Sequence, residues 1–90
     1  MPMIHHLKIY PCYFIPLIRG EKKFEIRDNS DRGFQRGDTV VFIEFDKQTG
    51  ETGRRQQASI TYVSNYNQPT NQVVFSFSLI SDVQDAQEVE

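Results

Sequence analysis

The sequence predicts an α+β, mainly β domain in which five short strands form a small barrel beside one short helix. The chain has 90 residues, of which 38% are hydrophobic and include seven Phe and four Tyr. This is enough for one modest core and too much for a disordered chain. Short alternating or apolar segments recur between turns rich in Gly, Asn and Asp, a pattern typical of small closed or half-closed sheets.

The N-terminal part predicts a strand followed by the helix. Residues 5–10 alternate between apolar and polar side chains, as in a half-buried strand. Its inward face is predicted to contain His5, Leu7 and Ile9. Residues 11–20 predict a short helix that ends at Gly20 and that Pro16 limits in length or bends. The helical spacing is formed by Tyr13, Phe14, Leu17 and Ile18.

Four further segments complete the predicted elements. Residues 22–28 alternate, with Phe24 and Ile26 predicted to face inward, and a turn-rich loop follows. Residues 39–45 are almost continuously apolar, which indicates a central strand covered on both faces. Residues 54–63 and 73–79 predict the last two strands. Their inward sets are predicted to be Ala58, Ile60 and Tyr62, and then Val73, Phe75, Phe77 and Leu79.

The charge pattern predicts one folded body and a separate acidic end. The formal net charge is −2, yet all ten Lys and Arg lie between positions 8 and 55, and four of the twelve acidic residues lie in the last nine positions. We therefore predict a mildly basic domain over residues 1–81 and a flexible acidic tail over residues 82–90. A basic body can accompany an anionic partner, although many domains with no such partner share this charge.

Targeting and metal signals are weak in this sequence. The first ten residues lack the layout of a signal peptide, and the longest apolar run is too short to span a bilayer, so we expect a cytoplasmic protein with no membrane role. His5 and His6 are neighbours on a predicted strand and should point to opposite faces, so we expect neither a metal nor another cofactor. Cys12 is expected to be a small buried core residue, and the alternative is a nucleophile with a histidine as its base.

The basic residues come from several segments that a small barrel would bring together. They are Lys8, Lys22, Lys23, Arg27, Arg32, Arg54 and Arg55, and the candidate stacking aromatics are Tyr10, Tyr13, Phe34, Tyr62 and Tyr66. Cations neutralise phosphates and aromatic faces hold unstacked bases, so this set suits single-stranded or looped RNA. Composition alone favours a plain solvated surface with local ion pairs.

The order of motifs gives the stronger indication. His5-x-Leu7-Lys8-Ile9, then Gly20-x-Lys22-x-Phe24-Glu25-Ile26-Arg27, and then Asp31-Arg32, Gly37-Asp38 and Thr52-Gly53-Arg54 follow one another. Over roughly residues 4–80 this order resembles a small domain family within the ASCH and PUA-like superfamily. The resemblance implies a small β-barrel with a helix beside it, a cleft lined by residues 22–27, and binding of RNA or a nucleotide. Small size and a single domain are also compatible with a phage origin.

The resemblance and the basic pattern together select the candidate ligand-binding residues. They are His5, Lys8, Lys22, Glu25, Arg27, Arg32, Arg54 and Tyr62. We expect Phe24 and Ile26 to anchor the charged segment from behind, and Glu25 to accept a hydrogen bond from a base amino group. Asp28 and Asp31 are expected to brace Arg27 and Arg32, because a held guanidinium grips phosphate in a bidentate manner.

Two other classes of function stay open at this point. Some bacterial ASCH proteins resemble amidohydrolases acting on acetylcytidine, and by position Lys22 would be the base and Glu25 would activate water. The nucleophilic Thr of those enzymes falls on Glu25, and no acidic residue occurs from 56 to 81. The third class is a protein-interaction or inhibitor module that uses the acidic tail or a strand edge.

Overall fold

The computed structural model describes residues 2–30 and 32–80, and it describes residues 84–85 by their backbone. The elements are β1 (Ile4–Ile9), α1 (Pro11–Ile18), β2 (Phe24–Asp28), β3 (Thr39–Asp46), β4 (Gly50–Ser64), β5 (Gln72–Leu79) and β6 (Gln84–Asp85). The α+β, mainly β class is therefore confirmed. Asp31 and most of the predicted acidic tail over residues 82–90 lie outside the described residues.

The five longer strands form one curled half-barrel sheet in the order β1-β3-β4-β5-β2. β1 runs parallel to β3, and the pairs β3 with β4, β4 with β5, and β5 with β2 are antiparallel. β1 and β2 are thus the two edges, and curling brings these edges towards each other without backbone pairing between them. We call the gap between the edges of β1 and β2 the seam.

The core fills the inside of the half-barrel. Its largest fully buried side chains include Phe14, Phe42, Phe75, Leu7, Leu17 and Ile60. The central strand β3 is buried continuously from Val40 to Glu44, as its apolar run predicts. A buried Phe or Leu contributes about 1.5–3 kcal/mol, so these six side chains account for much of the driving force for folding.

The helix α1 covers part of this core and is short for an identifiable reason. Pro11 occupies the first turn, where its missing N–H is not needed, and Phe14 and Leu17 are fully buried. Pro16 lies inside the helix, and the chain leaves the helical path at Gly20, whose φ of +78° lies in the left-handed region. The opposite side of the helix leaves Tyr13 half exposed.

The predicted inward face of β2 is wrong. Phe24 and Ile26 are 48% and 46% exposed, whereas Glu25 between them is 7% exposed. Alternation alone cannot say which of two faces is buried, and here the carboxylate is buried because two cations neutralise it from either side. The two apolar side chains therefore do not anchor the segment from behind. They face the outside beside the seam.

Three other inward predictions are also wrong. A register irregularity between Ile60 and Tyr62 turns Tyr62 outward, where it is 64% exposed, and Val63 packs against the core instead. Leu79 is 39% exposed at the end of β5. Cys12 is exposed on the helix and is not a core residue.

The backbone of Gln84–Asp85 pairs with Arg54 and Arg55 of β4, beyond the point where β5 ends. The start of the segment that the sequence marks as a tail therefore contributes a short sixth strand. Among the described residues, no helix has the length and apolar character required to cross a membrane.

Candidate functional site

A pocket of about 770 Å³ opens at the seam. Its walls come from the end of β1, the start of α1, the strand β2 and the end of β3. The lining residues are Lys8, Ile9, Tyr10, Tyr13, Lys22, Phe24, Glu25, Ile26, Arg27 and Phe45. We call this the seam pocket. Its volume lies in the range of pockets that hold small ligands, which is about 300–1,000 Å³.

Four aromatic rings line the seam pocket and two lysines lie over them. Tyr10 and Phe45 form one pair, with ring centroids 6.5 Å apart. The Nζ atom of Lys8 lies 5.0 Å from the centroid of Phe45. On the other side, Nζ of Lys22 lies 5.0 Å from the ring of Phe24 and 6.0 Å from that of Tyr13. The pocket therefore offers flat apolar faces next to positive charges.

One carboxylate organises the cations of the pocket. Glu25 is buried, and its Oε2 lies 3.0 Å from Nζ of Lys22 while its Oε1 lies 3.6 Å from Nε of Arg27. The ammonium of Lys22 also donates a hydrogen bond of 2.7 Å to the carbonyl oxygen of Phe24. Both cations are thereby held in place, and an immobilised cation loses little entropy when it binds an anion.

The remaining charge in the pocket belongs to Lys8. Among the described residues, no carboxylate lies within ion-pair distance of its ammonium group. Three cations and one carboxylate give the seam pocket a formal charge of +2. Such a site attracts an anionic ligand, and its aromatic walls favour one that also has a flat apolar part.

Two arginines bridge the seam beside the pocket. The Nη2 atom of Arg27 donates a 3.1 Å hydrogen bond to the carbonyl oxygen of Lys8, and Nη1 of Arg32 lies 3.4 Å from that of His6. The expected bracing of Arg27 by Asp28 is wrong. Asp28 instead accepts hydrogen bonds from the N–H and the hydroxyl of Ser30, which lower the pKa of its carboxyl group.

The predicted ligand-binding residue His5 lies in the core, away from the lining of the pocket. Its Nε2 is 2.8 Å from Oδ2 of Asp38, and its ring packs against Phe34 with centroids 4.6 Å apart. Burial raises the pKa of Asp38, but hydrogen bonds from His5 and from the N–H groups of Met3 and Gln35 outweigh it, so the pKa lies below its ordinary value. This pair fixes β1 to the turn before β3.

Arg54 and Tyr62 also lie outside the lining of the seam pocket. Both Nε and Nη2 of Arg54 donate to the buried carboxylate of Glu44, at 2.8 and 2.9 Å, and its guanidinium lies over Phe14. Burial raises the pKa of Glu44, and hydrogen bonds from Arg54 and Thr52 bring it below its ordinary value. Tyr62 stands on the outer face of β4, opposite Ser76.

The structure thus brings together Lys8, Lys22, Glu25 and Arg27 of the predicted set, with Arg32 beside them. Sequence reasoning missed the pocket roles of Phe24, Ile26 and Phe45, because it assigned all three to buried strand faces. One signal was present. A carboxylate at position 25 between cations at 22 and 27 indicates a local ion-pair group, and such a group competes with the apolar neighbours for the inner face.

Two comparisons with known proteins place the chain among its relatives. Residues 4–77 match a protein family described as a domain of unknown function, DUF3850. The chain is also 31% identical over 83 residues to an uncharacterized 12.9 kDa protein in the GpA 3′ region of Escherichia phage P2. That alignment covers 92% of this chain and 74% of the phage protein. The relationship therefore spans the whole half-barrel, including the seam pocket.

Proposed function

We propose that this chain, which belongs to the DUF3850 family of domains of unknown function, binds RNA or a nucleotide by taking a base into the seam pocket. One observation carries the proposal: four aromatic rings and three cations line a single pocket around one buried carboxylate that is already neutralised. Aromatic faces hold a base by stacking, worth about 1–3 kcal/mol per base, and cations bind its phosphate.

The size and charge of the pocket support a nucleotide over a larger ligand. Its volume of about 770 Å³ suits one nucleotide and excludes a duplex, whose bases are stacked and paired. Lys8 is the cation best placed for a phosphate, because it has no carboxylate partner among the described residues. The assignment to ASCH-type domains, which rests on the motif order, is part of the same proposal.

The ion pairs of Glu25 favour binding over amide hydrolysis. A carboxylate that activates water needs a free oxygen to accept the proton, whereas here each oxygen of Glu25 faces a cation within 4 Å. Glu25 then acts as a positioning residue for Lys22 and Arg27. The charged residues of the segment 22–27 then form one wall of an anion-binding pocket.

Titration of the protein with nucleoside 5′-monophosphates and a short single-stranded RNA, at several salt concentrations, tests the proposal. We expect Lys8→Ala to weaken binding about tenfold and to reduce the salt dependence by about 0.7 in log K against log salt, as for one phosphate contact on a single strand. Lys47→Ala, which removes the same charge from an exposed turn, is the matched control and should change neither. The proposal fails if no nucleotide or RNA binds at low salt, or if both variants lose the same affinity. Acetylcytidine turnover, followed in parallel, would favour the hydrolase.

A further inference from the structure

The free edge of β2 presents unpaired main-chain groups to the seam. In an antiparallel pair, alternate residues point their N–H and C=O towards the partner strand and the others point away. The amide of Phe77 donates to the carbonyl of Lys23, and that of Asn29 donates to Asn71, so odd-numbered residues of this segment face β5. The N–H and C=O groups of Phe24 and Ile26 therefore point into the seam.

Side chains occupy only some of the seam-facing groups. The ammonium of Lys22 donates a hydrogen bond to the carbonyl oxygen of Phe24. On β1, the guanidinium groups of Arg27 and Arg32 donate to the carbonyl oxygens of Lys8 and His6, respectively. Ile26 lines the seam pocket, and among the described residues no side chain hydrogen-bonds to its outward N–H or C=O. In an extended strand these two groups of one residue lie side by side, so they form a donor and acceptor pair at the pocket wall.

We infer that the ligand is an unpaired nucleotide whose Watson–Crick edge hydrogen-bonds to the main-chain N–H and C=O of Ile26. This rests on the proposed function and deepens it by naming the state of the nucleic acid. The Watson–Crick edge of every base has a donor next to an acceptor, so it complements this pair, while the ring lies along the aromatic walls. In a duplex the same edge is already used, and the pocket cannot take it.

The bridges across the seam favour a single base over an extended peptide. A peptide strand added to the free edge of β2 would use the same groups of Ile26, but it would have to continue along the seam. There Arg27 and Arg32 reach across to the carbonyls of β1. A flat base enters from the side and does not have to extend along the seam. The formal charge of +2 in the pocket also matches the phosphate attached to a base.

The first test uses the unmodified protein and two ligands that differ only at the base edge. Uridine 5′-monophosphate is compared with its N3-methyl analogue, which keeps the phosphate and the ring faces but loses the donor of the Watson–Crick edge. We expect the analogue to bind at least tenfold more weakly, because it loses one hydrogen bond and places a methyl group against the strand. Equal affinity would overturn the inference while leaving the proposed function intact.

The second test alters the protein. Ile26→Pro removes the outward N–H without touching the ladder to β5, a placement that edge strands tolerate. The control Ile26→Ala keeps that N–H. We expect the Pro variant to bind uridine monophosphate about threefold to tenfold more weakly than the Ala variant, as for one lost hydrogen bond. If urea denaturation shows that the Pro variant does not fold, the comparison of uridine monophosphate with its N3-methyl analogue is the test of the inference.

Three further ligands separate the alternatives: a single-stranded oligonucleotide, its duplex and a peptide. A single-stranded oligonucleotide should bind at least tenfold more tightly than the same sequence in a duplex. Tight binding of the duplex would overturn the inference. So would tighter binding of a blocked hexapeptide of alternating Glu and Val, because the free edge would then be a peptide site. Absence of binding by every nucleotide would overturn the proposed function itself, so the two failures are distinguishable.

Discussion

Replacing Phe24 by alanine separates a role in the pocket from a role in the core. A fully buried Phe contributes about 1.5–3 kcal/mol relative to an exposed one, and the side chain of Phe24 is 48% exposed, so we expect a loss of about 1 kcal/mol in the free energy of unfolding. Phe42→Ala, at a side chain that is fully buried, should lose about 3–5 kcal/mol. Urea denaturation of both variants measures this contrast.

The same variant should affect ligand binding far more than stability. Loss of one stacking face costs about 1–3 kcal/mol, which corresponds to roughly 5-fold to 150-fold weaker binding of a nucleotide. Tyr66→Ala is the matched control, because Tyr66 is 78% exposed and does not line the seam pocket. A stability loss in Phe24→Ala as large as that in Phe42→Ala would refute the outward orientation of β2. Unchanged nucleotide binding would refute the stacking role.

Four other substitutions test the remaining features. Glu25→Gln raises the positive charge of the pocket but releases its two cations, so we expect nucleotide affinity to fall at least threefold in a titration at fixed salt, and a rise in affinity would contradict the positioning role. Asp38→Asn should lower the free energy of unfolding by about 2 kcal/mol at pH 7 through its weakened bond to His5. Because the pKa of Asp38 is lowered in the folded state, its carboxylate stabilises the fold above pH 3.8, and this stabilisation is lost as the pH falls below that value. In urea denaturation from pH 5 to pH 3, the free energy of unfolding should therefore fall less steeply in Asp38→Asn than in the wild type. Identical slopes would count against the His5–Asp38 pair. Val63→Asp places a charge against the core and should destabilise the fold by more than about 2 kcal/mol, whereas Tyr62→Asp on the outer face should cost less than about 1 kcal/mol. Thermal melting of both variants measures this order, and the reverse order would mean that β4 has no register shift.

The elements were predictable because their signals are local. A few residues are enough to indicate each element, as in the apolar run of β3, the alternation in β5 and the helical spacing around Phe14. The observed boundaries differ from the predicted ones by one or two residues at most positions, but β4 begins at Gly50, four residues before the predicted start at residue 54. The two glycines at positions 50 and 53 indicate a turn, and only the pairing with β3 decides where it ends.

The orientation of β2 was not predictable by the same means. Alternation gives two faces but not their direction, and the usual rule sends Phe24 and Ile26 inward. The direction depends on Lys22 and Arg27, which meet at Glu25 only after the strand is in place. The outward turn of Tyr62 depends in the same way on a register shift within β4 that the local sequence does not mark.

The two arginine bridges make the strand edges at the seam less open to pairing with a second copy of this chain. A strand edge with unpaired N–H and C=O groups is a template for a strand from another molecule, and edge-to-edge pairing of this kind leads to aggregation. Here the two edges face each other inside one half-barrel, and guanidinium groups of Arg27 and Arg32 occupy carbonyls that an incoming strand would need. The bridges therefore leave the outward N–H and C=O of Ile26 open at the seam while denying a continuous edge to a strand from another molecule.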